Sequence, residues 1–448
     1  MRRELKPMLA LAIPLVMAEI GWIMMGIVDT IMVGPLGPAA LGAVGVGSTL
    51  FMTPAVFGIG LLMGLDTFVS QAFGAGRIQE CHRWLFNGVA LALLYSIPLM
   101  IAVALLLYLL PSFGFHGEVL ALITPYIGTV IWSALPLMLF VAFRRYLQAM
   151  NIVRPVMIAL VTANLVNIAG NYLLIFGRFG FPELGVVGSG WATVAARIYL
   201  AVFLFVVIVR RERRHSTGLH DVPMRAELER LARLVRLGLP AAFQITVEVG
   251  VFAAASALAG ALTPAAVAAH QIALNLASFT FMIPFGMSSA GAVRVGQAVG
   301  RGDVGGVRAA GKAALLIGGG FMTFAGIVFV LMPGPLLRLF TRDPGVIGIG
   351  LSLLAIAAVF QLFDGVQAVS TGLLRGLGDT RTPMLWHLVG HWIVGLPLGY
   401  ALCFWWDWGV PGLWIGLSAG LILVGIVLVT LWFLRSSRLR TETLPLVA

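Results

Sequence analysis

The sequence predicts an all-α integral membrane protein: twelve transmembrane helices in two pseudo-symmetric six-helix lobes. Three observations lead there. The 448 residues are 60% hydrophobic and only 10% charged, with a mean hydropathy of +1.00, more apolar surface than a water-soluble core could hide. The apolar runs are continuous over roughly 20 residues or more, as helices require, whereas barrel strands alternate over about ten. Finally, the second half of the chain repeats the first.

The chain opens with MRRELKPMLALAIPLVM, which has the basic start and apolar run of a signal peptide. No small-residue cleavage site closes that run, and it continues well past signal length, so a retained first helix is expected over 8–33. Further apolar runs fall at 43–70, 84–110, 119–143, 155–176 and 184–209 in the first half. The second half holds runs at 235–261, 266–293, 309–333, 346–373, 384–405 and 409–434. Connections are mostly short, so neighbours should run antiparallel. The longest, within RRERRHSTGLHDVPMRAELERLARLVR at 210–236, is polar and basic. The expected organisation is an N-terminal lobe at 1–209, a cytoplasmic basic linker at 210–233, a C-terminal lobe at 234–435 and a cytoplasmic tail at 436–448.

Lys and Arg set the orientation. The N-terminus, the even-to-odd connections and the tail hold 25 of the 29 basic residues. The opposite connections hold Arg178, Arg338 and Arg342, and Arg197 falls inside a span. Both termini are therefore expected in the cytoplasm of a multi-pass plasma-membrane protein, the bacterial inner membrane. The net charge of +11 is set between apolar runs and mostly on one side of them, which argues against nucleic acid as a partner.

The repeat is specific. QAFGAGR at 71–77 matches QAVGRGD at 297–303, and Pro14 and Pro38 match Pro240 and Pro264, at an offset of 226. Later, RPVM at 154–157 matches TPML at 382–385. Two parallel six-helix repeats suit a transporter whose halves rock around a substrate path. An enzyme or a receptor has less need of that symmetry, and no Ser/His/Asp or Cys/His nucleophile constellation can be picked out. Cys81 and Cys403 fall near opposite faces of the membrane, so neither a disulfide nor a metal cluster is expected. GAGR and GRGD lack the strand–loop–helix setting and the lysine of a phosphate cradle, and are read as tight turns.

Few ionisable residues lie deep in the spans: Glu19, Asp29, Asp66, Glu248, Asp364 and several histidines. A charge at the bilayer centre costs about 2.5–3.5 kcal/mol on insertion scales, so such residues usually work. The plainer alternative is a protonated carboxyl that ties two helices together. Asp29 has natural partners in TANLVNIAGNYLLIFG, where Asn164, Asn167 and Asn171 fall at i, i+3 and i+7, one polar stripe. A carboxylate with carboxamides can hold a proton or, with enough oxygens, a hard cation such as Na⁺. Glu248 and Asp364 rise about 18 and 14 Å from their cytoplasmic helix ends, so they can meet at one depth. Two adjacent carboxylates share a proton or take up a cation, and both are candidate Na⁺ ligands. By the repeat, neither has an acidic counterpart in the first half: Glu248 aligns with Trp22 and Asp364 with Pro136. Glu19, Asn164, Gln244, Phe360 and Gln361 are candidate cavity residues, and Asp66 is read as structural or a gate. His387 and His391 share a helical face but lack a third metal ligand and a HExxH glutamate. Interhelical hydrogen bonding is the plainer reading, with a proton relay as the functional alternative. His270 is read as a packing or polar-cavity residue.

The stretches ELKPMLALAIPLVMAEIGWIMMGIVDTIMVGPLGPAALGAVGVG, GLDTFVSQAFGAGR, TANLVNIAGNYLLIFGRFGFPELGVVGSGWAT and LRGLGDTRTPM resemble the multidrug and toxic compound extrusion (MATE) transporters, in family order across about residues 5–435. The resemblance implies two six-helix bundles around a central cavity that export organic cations and amphipathic drugs against an inward flow of Na⁺ or H⁺, with no cofactor besides that ion. The family's first-helix carboxylate matches Asp29, and its fifth-helix polar pair matches Asn167 and Asn171. One branch carries Asp at the position of Asn171, and this chain departs from that branch. Glu248 and Asp364 fit the NorM-like branch. A monomer is expected. A lipid-linked oligosaccharide flippase of the same superfamily is the alternative, which would need basic cavity residues for a pyrophosphate.

Overall fold

In a computed structural model, residues 2–114 and 117–440 are described, and of the expected tail at 436–448 the last eight residues lie outside that set. Twelve helices among the described residues are long and apolar enough to cross a membrane. They run Glu4–Leu36, Pro38–Gly74, Ile78–Ser112, Gly117–Ala149, Arg154–Ile175, Val186–His215, Leu228–Ala259, Pro264–Gly300, Val304–Leu331, Pro344–Gly376, Arg381–Trp405 and Gly409–Arg438. We refer to them as the first to twelfth spans. Helix is the only open-ended element that satisfies its own backbone in lipid. Long side chains such as Ile97, Ile101, Leu105 and Tyr108 on the third span lie exposed, as the lipid-facing side of such a protein should.

Several spans outrun their apolar cores. The fourth extends to Ala149, which draws Arg144 and Arg145, assigned to a connection from the sequence, into buried helix. The sixth and seventh spans continue through much of the expected linker, to His215 and from Leu228. Glu212 closes the remaining turn by accepting from the backbone N–H groups of Thr217, Gly218 and Leu219.

Two compact units emerge, one of Met17–Ala242 and one of Met1–Val16 with Phe243–Ala448. The divisions fall inside the first and seventh spans rather than at the expected linker. In the first unit the fourth span packs on the second, third and sixth. In the second unit the tenth span packs on the eighth, ninth and twelfth. The repeat is therefore visible in which helix each unit is built around.

It is visible in atomic detail at the helix ends. Backbone bonds Ala75–Gln71, Gly76–Phe73 and Arg77–Ala72 recur as Arg301–Gln297, Gly302–Val299 and Asp303–Ala298. Gly76 and Gly302 both sit at φ +73°, where glycine avoids a Cβ clash, so GAGR and GRGD are tight turns as expected. Asp303 then caps the ninth span through Gly306 N–H, at 2.7 Å. A second set, Met150–Tyr146, Asn151–Gln148 and Ile152–Leu147, recurs as Leu377–Leu373, Gly378–Arg375 and Asp379–Leu374. These fix the local offset at 227, so Asp364 aligns with Leu137 and not with Pro136. The position in the first unit remains apolar.

The eleventh span departs from α geometry: Leu388–Gly395 and Ala401–Trp405 are π-helical. Glycines let it lie against the twelfth span. A Cβ on Gly416 would stand 2.1 Å from the Gly399 nitrogen, and one on Gly420 2.2 Å from the Gly390 oxygen. Small residues at four-residue spacing are the usual means of close helix approach in lipid. Because the obstacle is backbone, it cannot yield. Gly420→Ala is expected to destabilise the purified protein by ~1–3 kcal/mol, read as a lowered thermal midpoint in detergent. Gly320→Ala, where nothing lies within 4 Å, should leave the midpoint unchanged or slightly raised.

Candidate functional site: two buried carboxylate clusters

The first cluster lies in the Met17–Ala242 unit. Asp29, only 7% exposed, accepts at Oδ1 from Asn167 Nδ2 at 3.0 Å and from Asn171 Nδ2 at 2.7 Å. Asn171 also donates to Asn167 Oδ1 at 3.2 Å, which orients the pair. Thr193 of the sixth span donates to Asp29 Oδ2 at 3.1 Å. The i, i+4 spacing of Asn167 and Asn171 aims both amides at one point. Asn164 does not join them: its amide donates to the Gly21 and Leu160 carbonyl oxygens. Its place in the stripe was legible, but one more turn of helix brings it to the first span's backbone. Thr193 was missed, because a threonine in an apolar helix more often bonds to its own backbone, and Thr193 does that too, to Ser189 O.

The second cluster lies in the unit containing Phe243–Ala448. Gln244 donates to Glu248 Oε2 at 2.9 Å, one turn away on the seventh span. Gln367 Nε2 donates to both Glu248 Oε1, at 3.1 Å, and Asp364 Oδ1, at 3.2 Å. The two acids therefore meet across one amide, as their heights suggested. Two carboxylates sharing one amide donor lie close enough to repel when both are ionised, an arrangement that can share a single proton or cation. Gln367 Oε1 is buried without a partner and offers one more oxygen.

His387 and His391 border this cluster. His387 Nδ1 lies 3.5 Å from Glu248 Oε2, and its Nε2 faces Thr371 Oγ1 at 3.3 Å. The His391 ring stands 5.4 Å from that of His387 and 6.4 Å from Phe252. Neither His391 nitrogen has a hydrogen-bond partner. His387 thus bridges toward another helix, as expected from spacing, but its other neighbour is a candidate coupling acid. No group of three or more His, Cys, Asp or Glu arranged for a metal ion occurs among the described residues.

The MatE family model matches residues 14–173 and 240–401. The chain belongs to the MatE family. Over 452 residues it is 36% identical to the probable multidrug resistance protein NorM of Mesorhizobium japonicum, covering 97% of this chain and 94% of that protein. It is also 36% identical to the multidrug resistance protein NorM of Burkholderia vietnamiensis, covering 96% and 94%. The crystal structure of the eukaryotic MATE transporter AtDTX14 superposes with a TM-score of 0.86 at 21% identity, covering 99% of this chain and 97% of that one, which establishes the common fold. The two matched segments of the MatE model fall one in each half of the sequence, as the repeat requires.

Within this MatE fold the other acids are occupied differently. Glu19 pairs with Arg144 and Asp66 with Arg145 at 3.0 Å, all four buried. Glu19, expected beside Asp29 in a cavity, is instead half of an ion pair, because the longer fourth span delivers a guanidinium to it. Asp66, read as structural or a gate, is likewise half of a buried ion pair. Gln361 is fully buried and donates to Thr280 Oγ1 at 2.7 Å. Phe360 packs on Trp414 at 5.8 Å and lines a small void of about 10 Å³, room for about one water. His270 sits between Ser256 and Trp414, each at 2.9 Å, a packing residue with both nitrogens satisfied.

Breaking a buried ion pair strands its partner. Arg144→Met should destabilise the protein by ~3–5 kcal/mol, and Glu19→Gln/Arg144→Met should recover most of that loss. Chemical unfolding of the purified variants in detergent checks both.

Proposed function

We propose that this MatE-family protein is a secondary active multidrug antiporter that exports organic cations and amphipathic drugs in exchange for Na⁺ or H⁺ by alternating access. It would lie in the plasma membrane with both termini cytoplasmic. The multidrug resistance proteins it resembles support the class. One observation carries the mechanism: Asp29, Glu248 and Asp364 are held by neutral amides and hydroxyls, while Glu19 and Asp66 are cancelled by arginines. The first three acids can still accept a cation.

In this reading an ionised acid attracts either cationic cargo or the coupling ion, and each disfavours the other. A ligand shifts the transporter only by its differential affinity for the two states, so competition for one negative charge supplies the coupling. Ions driven inward by their gradient neutralise the acid, cargo leaves outward, and the chain cycles without covalent chemistry. The amide nitrogens around Asp29 point donors at it and suit a proton; the Glu248–Asp364 pair supplies more oxygens and suits Na⁺ as well.

Ethidium efflux from proteoliposomes, driven separately by a Na⁺ gradient and by a pH gradient, tests this. At least one gradient should drive export without ATP. Asp29→Asn and Asp364→Asn should each cut gradient-driven export at least about tenfold, the equivalent of 1.4 kcal/mol, while Glu19→Gln/Arg144→Met should keep it. Dependence on ATP, or full export by both single variants, would end the proposal.

A further inference from the structure

The sixth span carries a buried charged residue that the coupling scheme leaves unused. Arg197 lies about 17 Å in from Val186, where the span begins, deep within the helix. It is only 8% exposed. Its guanidinium donates to Ser133 Oγ, faces Met52 Sδ at 3.9 Å and stands 4.6 Å over the Phe51 ring, and its Nε has no partner. None of these partners is negative. Arg144 and Arg145, buried in the same unit, each hold a carboxylate. Arg197 makes no ion pair among the described residues, although an uncompensated charge is the costliest thing to bury in such a place.

A partner of the one unbalanced acid nearby is one helical turn away. Thr193, at i−4 from Arg197, donates to Asp29 Oδ2, so the two side chains share one face of the sixth span. Asp29 and Arg197 interact electrostatically, and the Tyr126 hydroxyl feels both. Tyr126 itself is tied to Ser48 at 3.0 Å. The hydrogen-bond partners of Asp29 are neutral, two carboxamides from the fifth span and one hydroxyl from the sixth, so Arg197 and Tyr126 are the charged and titratable groups that bear on it.

We propose that Arg197 is the built-in counter-ion of Asp29, a positioning residue that keeps the empty site electrically balanced and reports its filling. With Asp29 ionised, the unit carries one negative and one positive charge. When Asp29 takes up the coupling ion, Arg197 is left unbalanced, and its field opposes cationic cargo in the same unit. That change reaches Ser133, the last residue of the 3₁₀ turn Ile131–Ser133 that interrupts the fourth span, a kind of irregularity that commonly marks a hinge. The inference rests on the Asp29 site proposed above.

A double-mutant cycle on the purified full-length protein tests the pairing without relying on transport. Asp29→Asn strands the guanidinium and should lower the thermal midpoint, and adding Arg197→Met should raise it again. Independent, additive effects of the two changes would overturn the pairing. In proteoliposomes, Arg197→Met should lose ethidium export by at least about tenfold, and Arg197→Lys, which keeps the charge, should retain most of it. Export by Arg197→Met at the parent rate, or no rescue by lysine, would overturn the reporting role. Normal export by Asp29→Asn would instead sink the Asp29 site itself, while the melting cycle still decides whether the two residues are paired.

Discussion

The structure turns on one constraint: in an apolar solvent every polar group must find its partner inside the protein. It is why the chain is helical almost throughout, and why the departures from helix occur where neighbouring helices or side chains cover the backbone. The same constraint sorts the buried acids. A carboxylate bonded directly to a guanidinium is neutralised for good. A carboxylate facing amides and hydroxyls has polar partners but no bonded counter-charge. Glu19 and Asp66 belong to the first kind, Asp29, Glu248 and Asp364 to the second.

The two units show how far a shared scaffold can carry different chemistry. Their helix ends repeat bond for bond, down to glycines with the same φ. Their polar clusters do not. One unit gathers a single acid, two asparagines and a threonine; the other gathers two acids, two glutamines and a histidine. Backbone turns are conserved by geometry that tolerates little, while a helix face accepts any side chain that its neighbours can satisfy. Two polar clusters of unlike character in one chain follow from that difference in tolerance.

Irregular helix has a visible purpose in the eleventh span. Its π-helical stretch includes His391 and begins just after His387. The glycines at 390, 395 and 399 press it against the twelfth span. Wider turns change which residues share a face, so the i, i+4 reading of HLVGH was sound for His387 and silent about the acid beside it. A pattern of period 3.6 cannot report a neighbour contributed by the seventh span.

The sequence by itself determined the class, the number of spans, the repeat, the tight turns and the set of acids buried in the spans. Hydropathy, glycine and charge are local properties, and lipid penalises local errors heavily enough that they leave a clear record. It also determined the pairing of Asp29 with Asn167 and Asn171, because helical spacing and height along the helix are arithmetic. Only the tertiary structure decided that Glu19 is spent on Arg144, that Thr193 completes the Asp29 site, that Asn164 stands apart from it, and that the compact units divide inside helices. Each of those depends on which face of one helix meets which face of another. That choice is made by packing and by partners distant in sequence, which no local pattern encodes.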